Sequence, residues 1–143
     1  MIVVTGGAGF IGSNLISALN AAGENQIILV DDLSDTGKIQ NINDLRISDY
    51  QDKNDFRNVL CKSGLPAGVK AVFHQGACSD TMVSDGQYVM DVNYAYSKIV
   101  LHACSESGTP LIYASSASVY GRDGPFVESV ENEYPLNAYA FSK

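Results

Sequence analysis

Short apolar runs alternate along the chain with segments whose apolar residues recur every three or four positions. Residues 2–5 form a run of the first kind. A glycine turn follows, then a helical pattern with Ile11, Leu15, Ala18, Leu19 and Ala22 on one face. Gly23 is placed to end that helix. Residues 26–30 are nearly continuous in apolar character, as suits a strand covered on both faces. Residues 45–47 predict a weak third strand, and Asp52 offers an N-cap to a helix running towards Ser63. A fourth strand is expected at 71–75. A long helix from about 84 to 106 carries Tyr96, Ile99, Val100, Ala103 and Cys104 at helical spacing. A fifth strand is expected at 111–115, a polar loop runs to Leu136, and Asn137 caps a last helix.

Strands alternating with helices predict an α/β fold: a doubly wound, Rossmann-like parallel sheet with helices on both faces. Ligands of such sheets sit beyond the carboxyl ends of the strands. The unusual polar residues fall at those ends: Thr5-Gly6-Gly7, Asp31-Asp32, His74-Gln75-Gly76 and Ser115-Ser116. This agreement points to a nucleotide site.

Composition narrows the class. A chain of 143 residues suits one domain, taken here as a dinucleotide-binding domain over 1–143. Sixteen acids against nine bases give no cationic face for nucleic acid. No apolar run reaches the ~18–20 residues of a membrane span, and the N-terminus lacks the basic flank of a signal peptide. A soluble, cytoplasmic protein is expected. Cys61, Cys78 and Cys104 form no CxxC pair and share no ligand-like spacing with His74 and His102, so buried free thiols are expected and no metal.

Gly6, Gly9 and Gly12 stand three apart, directly after the first strand and opening the first helix. The first serves a tight turn, the middle one lets backbone amides approach a pyrophosphate, and the third lets helix pack on strand. Asp31, ending the second strand, can bind an adenosine ribose. The Gly-x-x-Gly-x-x-Gly spacing resembles the short-chain dehydrogenase/reductase superfamily, in particular its extended branch of sugar-nucleotide epimerases and dehydratases. Tyr139 and Lys143 resemble that branch's Tyr-x-x-x-Lys motif, and residues 114–121 its serine strand end, with Ser116 in the active position. The chemistry suits these residue types. A phenol is a poor base at neutral pH, and an ammonium one helical turn later favours its phenolate. A serine hydroxyl beside them polarises the substrate oxygen. Tyr94 and Lys98 repeat the spacing inside the long helix with no serine strand end before them, so they are read as structural.

Residues 73–81, Asp85-Gly86 and Pro135-Leu136-Asn137-Ala138-Tyr139 are similar, within that branch, to the family of ADP-heptose 6-epimerases. The resemblance implies an isomerase with bound NADP, or alternatively NAD. It would invert C6 of the heptose in ADP-D-glycero-D-manno-heptose through a 6-keto intermediate, for lipopolysaccharide precursor synthesis. Tyr139, Lys143 and Ser116 would be catalytic. Gly6, Gly9, Phe10, Ile11 and Gly12 would hold the pyrophosphate side of the cofactor. Asp31, Asp32, Lys38 and Lys53 would lie at the adenosine, and Gln75, Gly76, Ala77, Cys78, Ser79, Asn93, Tyr139 and Lys143 would complete the site. Asp31 and Asp32 would repel a 2'-phosphate and the two lysines attract it. The resemblance implies an ADP-heptose substrate as the partner, and the full-length form is expected to be a homo-oligomer. The resemblance also implies that the chain stops before the last strands, the substrate domain and a second acid/base lysine, so that these 143 residues alone would be inactive. Another NAD(P)-dependent nucleotide-sugar epimerase or dehydratase, or a cofactor-binding fragment without turnover, are the alternatives.

Overall fold

The computed structural model describes residues 1–143. Five strands form one sheet: β1 (Ile2–Thr5), β2 (Ile27–Asp31), β3 (Asp49–Asp52), β4 (Ala71–His74) and β5 (Leu111–Tyr113). Their order is β3-β2-β1-β4-β5, and every neighbouring pair is parallel. β1 is central, with Val3 opposite Ile28 on one side and Val72 on the other. Val3, Val4, Ile27, Leu29 and Val72 are fully buried. Each such side chain contributes roughly 1.5–3 kcal/mol on leaving water. The fold is therefore the expected doubly wound Rossmann-like sheet, with helices on both faces.

The helices are α1 (Phe10–Ala21), α2 (Lys53–Ser63), α3 (Gly86–Val89), α4 (Tyr96–Ser107) and α5 (Ala138–Phe141). Asp52 caps α2 as expected, accepting from the amides of Asn54 and Asp55. The inward face of α1 matches the expected one in part. Leu15 and Leu19 pack against the core as expected, but the buried residues are Gly12, Ser13 and Ile16, whereas Ile11, Ala18 and Ala22 are exposed. Gly12 must lie against the preceding turn, and this close approach rotates the helix so that Ile16, one turn on, faces the core. The third strand is at Asp49–Asp52 and not at 45–47. It is an edge strand paired only with β2, so it needs no apolar run, and Leu45 and Ile47 pack against the core from the loop instead. The helix expected from 84 to 106 is interrupted, since Met90–Ala95 winds as a π-helix between α3 and α4. Of the cysteines only Cys104 is buried, and burial pushes its thiol up; Cys61 is exposed.

Contacts group the chain into two compact units. The first comprises residues 1–76 and 99–113 and holds the whole sheet; the second comprises 77–98 and 114–143.

Candidate functional site

In the first unit the turn after β1 is built around two close approaches. Gly6 has a φ of +68°, and a Cβ there would lie 2.6 Å from the Gly76 nitrogen. At Gly12 a Cβ would lie 2.1 Å from the Gly6 carbonyl oxygen, so the third glycine lets the helix pack on the turn rather than on the strand. Gly9 is different, because a Cβ there would meet nothing closer than the Gly6 oxygen at 3.3 Å. Gly9 is the N-cap of α1 and supplies no capping side chain, so the first-turn amides and the positive end of the helix dipole are left for a ligand. Phe10 and Ile11 flank this end with exposed side chains.

Asp31 and Asp32 follow at the end of β2. The buried Asp31 accepts from the Ala8 amide through Oδ2 at 2.8 Å, and from Lys38 Nζ and the Asp32 amide through Oδ1, both at 2.7 Å. It ties the glycine turn to β2. Lys53 Nζ lies 2.7 Å from Asp32 Oδ2. The Lys53 hydrogen bond, aided by Ser34, holds the Asp32 carboxyl well below the usual carboxylate range. The two lysines expected to balance the two carboxylates are thus paired with them, one to one. Tyr50 donates to the Asp31 carbonyl at 3.2 Å, and burial pushes its phenol up, with Asp52, Asp31 and Asp32 adding to the effect.

At the end of β4, His74 Nδ1 and Thr5 Oγ1 are 2.5 Å apart, both buried, and the His74 ring stacks on Tyr113. The Gly76 amide donates to the same Thr5 hydroxyl at 3.2 Å. This pins the Gln75-Gly76 backbone against the glycine turn. Neither Thr5 nor His74 belongs to the site residues drawn from the sequence, although both were legible as polar strand ends.

The second unit holds the other group. Asn93, buried in the π-helical segment, accepts from the Cys78 amide at 2.7 Å, and donates to the Cys78 carbonyl at 3.1 Å and to Ser142 Oγ at 2.8 Å. Ser142 Oγ in turn donates to the Tyr139 carbonyl at 2.7 Å. Asn93 thereby anchors both the segment carrying Ala77, Cys78 and Ser79 and the short helix carrying Tyr139. Ser142, inside the Tyr-x-x-x-Lys motif, is a participant that the motif does not mark. Asn137 caps α5 by accepting from the Ala140 amide at 2.8 Å. Tyr139 is half-buried on α5, which ends at Phe141, so Lys143 lies beyond the helix; burial lowers its ammonium below the ordinary lysine range. Ser116 caps the 3-10 turn Ala117–Tyr120, accepting from the Ser118 amide at 3.2 Å, and a hydroxyl that accepts there still carries a hydrogen it can donate.

Of the sequence-derived residues, Gly6 to Gly12, Asp31, Asp32, Lys38, Lys53, Gln75 and Gly76 belong to the first unit. Ala77, Cys78, Ser79, Asn93, Ser116, Tyr139 and Lys143 belong to the second. Tyr94 and Lys98 are exposed, with the ammonium 5.1 Å from the ring centroid. No group of three His, Cys, Asp or Glu side chains could hold a metal ion, and no helix is long and apolar enough to cross a membrane.

Residues 2–143 match the model of the NAD dependent epimerase/dehydratase family. The chain is 52% identical over 141 residues to ADP-L-glycero-D-manno-heptose-6-epimerase of Thiobacillus denitrificans, a match covering 99% of this chain and 42% of that protein. The crystal structure of the Helicobacter pylori ADP-L-glycero-D-manno-heptose-6-epimerase superposes with a TM-score of 0.83 at 32% identity, covering 99% of this chain and 47% of that one. UDP-glucose 4-epimerase of Thermotoga maritima, solved with UDP-glucose, gives 0.77 at 27% identity, covering 99% and 47%. The chain spans less than half the length of these relatives.

Proposed function

Since the chain belongs to the NAD dependent epimerase/dehydratase family, we propose that residues 1–143 form the dinucleotide-binding domain of a sugar-nucleotide epimerase. Its substrate is ADP-D-glycero-D-manno-heptose, inverted at C6 through a transient 6-keto sugar, as a step towards lipopolysaccharide core precursors. The observation that carries the substrate assignment is the 52% identity to the Thiobacillus relative over nearly the whole chain.

The glycine turn fits a dinucleotide. Only a backbone without β-carbons admits the approaches at Gly6 and Gly12, and the uncapped end of α1 offers amides to a pyrophosphate. We assign NADP as the cofactor because Lys38 and Lys53 stand at the end of β2, where an adenosine 2'-phosphate would compete with Asp31 and Asp32 for their ammonium groups. NAD is the second reading, favoured if those carboxylates keep the lysines. When bound, the nicotinamide supplies a hydride acceptor and donor. Tyr139 takes and returns the proton of the reacting hydroxyl, Lys143, four residues further along the chain, supplies the positive charge that favours the phenolate, and Ser116 donates to the substrate oxygen. Asn93 and Ser142 keep Tyr139 in place.

The test is to incubate protein of the relatives' length with ADP-D-glycero-D-manno-heptose and follow C6 configuration by NMR, with bound NADP and NAD measured separately. Inversion at C6 is the expected outcome. Conversion of UDP-glucose at C4 with the heptose nucleotide untouched would overturn the assignment in favour of a 4-epimerase, the reading that the Thermotoga structure supports. Because the relatives are more than twice as long, we expect the 143 residues alone to bind the dinucleotide without turnover.

A further inference from the structure

Ala8, at the tip of the glycine turn, is held from outside by both of its backbone groups. Its amide donates to Asp31 Oδ2 at 2.8 Å, and its carbonyl accepts from Asn41 Nδ2 at 2.9 Å. Asn41 closes the 3-10 turn Thr36–Asn41, and that turn reaches the same cluster a second time through Lys38, which bonds Asp31 Oδ1 at 2.7 Å and the Asp32 carbonyl at 2.8 Å. A closed circuit results: Ala8 to Asp31, Asp31 to Lys38, Lys38 along the backbone to Asn41, and Asn41 back to Ala8.

Peptide planarity gives this circuit its consequence. The plane before Ala8 contains the Ala8 N–H, and the plane after it contains the Ala8 carbonyl together with the Gly9 N–H. Asp31 fixes the first plane, and the second is held from its two sides, by Asn41 at the Ala8 carbonyl and by the Gly6 carbonyl at the Gly9 N–H. Gly9 has no Cβ to restrict it, so losing the Asn41 bond leaves that plane with a single anchor. With the Ala8 carbonyl turned to Asn41, the Gly9 N–H points the opposite way and donates to the Gly6 oxygen at 3.0 Å, and α1 begins at the next residue.

We propose that Asn41 is a positioning residue for dinucleotide binding: by holding the Ala8 carbonyl it sets the direction of the amides that receive the pyrophosphate. The proposal rests on the dinucleotide reading above and goes beyond it. Asn41 touches no group assigned to the cofactor and acts through the glycine turn.

The role separates from a merely structural one by which part of the ligand feels the change. NAD and NADP share the pyrophosphate, whereas adenosine 2'-monophosphate lacks it but keeps the group that Lys38 and Lys53 would meet. Calorimetric titration of the protein with all three ligands is the experiment. In Asn41→Ala the affinities for NAD and NADP should fall by a common factor of about 3–10, the size of one neutral hydrogen bond, while that for adenosine 2'-monophosphate changes by less than about two-fold. Should Asn41→Ala not fold, Asn41→Leu keeps nearly the same side-chain size, removes the donor without adding a charge and is read the same way. Unchanged dinucleotide affinity overturns the proposal. So does an equal loss for all three ligands, which would mean that Asn41 only shapes the 36–41 turn. A wild-type protein that binds no dinucleotide instead overturns the cofactor reading on which the proposal stands.

Discussion

A single β-carbon separates the two duties that glycines perform in the turn after β1. At Gly12 it would collide with the Gly6 carbonyl at 2.1 Å, so Gly12→Ala must displace the turn and should cost at least the ~1–3 kcal/mol typical of overpacking. At Gly9 the nearest atom is 3.3 Å away, so Gly9→Ala should fold and melt close to wild type, yet bind NAD and NADP more weakly. Thermal melts paired with titrations check both outcomes; equal melting of the two variants would contradict the assignment. Asp32 makes a second case. Its carboxyl is held below the usual range by Lys53 and Ser34, so it stabilises the fold above its unfolded pKa near ~4 and loses that contribution as the pH falls through the lower folded value. Urea midpoints from pH 7 down to about 2.5 should therefore decline less steeply in Asp32→Asn than in wild type below pH ~4. The glycine spacing and the paired carboxylates were legible in the sequence because each is a local pattern. The lysine partners of Asp31 and Asp32 were legible as charges but not as ion pairs, and Asn41 was not legible at all. A hydrogen bond across 33 residues leaves no periodic trace.

Elements were readable where their signals were covalently close. The α2 cap, the capped start of α5 and the buried run of β2 all follow from neighbouring residues. The third strand escaped because an edge strand takes its partner, not its polarity, from tertiary structure. The π-helical segment escaped for a related reason. Its distinguishing contacts run from Asn93 to Cys78 and Ser142, 15 and 49 residues away. Those contacts also predict what the element does. Asn93→Ala takes the partner from the Cys78 amide and carbonyl, while the Ser142 hydroxyl keeps its bond to the Tyr139 carbonyl, and this should cost ~1–3 kcal/mol for each group left unsatisfied. Denaturant unfolding measures this cost. A loss below about 0.5 kcal/mol, the lower end for one hydrogen bond, would show that the anchor is not needed.

At the scale of the molecule, the strand–helix alternation specified the parallel sheet, and the polar strand ends marked the candidate site. What the alternation did not disclose is the grouping of residues 77–98 with 114–143, since two segments brought together from separate parts of the chain show no shared pattern. Two tyrosines with the same Tyr-x-x-x-Lys spacing allow a test of that organisation. Tyr139 is half-buried on a capped helix tied to Asn93, whereas Tyr94 lies exposed under the Lys98 ammonium. In protein of the relatives' length, Tyr139→Phe should lose ~10²–10⁴-fold in epimerisation rate while retaining cofactor, and Tyr94→Phe should stay within a few-fold of wild type. Similar losses in both would end the distinction.

The central place of β1 has a consequence in time. It is synthesised before both of the strands that fill its edges. β2 follows after a short interval, but β4, which pairs Thr5 with His74, is still 69 residues away. At ~5–20 residues per second of translation, one side of Ile2–Thr5 stays open for about 3–14 s on every nascent chain. The best-protected strand of the finished sheet is thus the one longest exposed during its making, and misassembly on the ribosome should begin there.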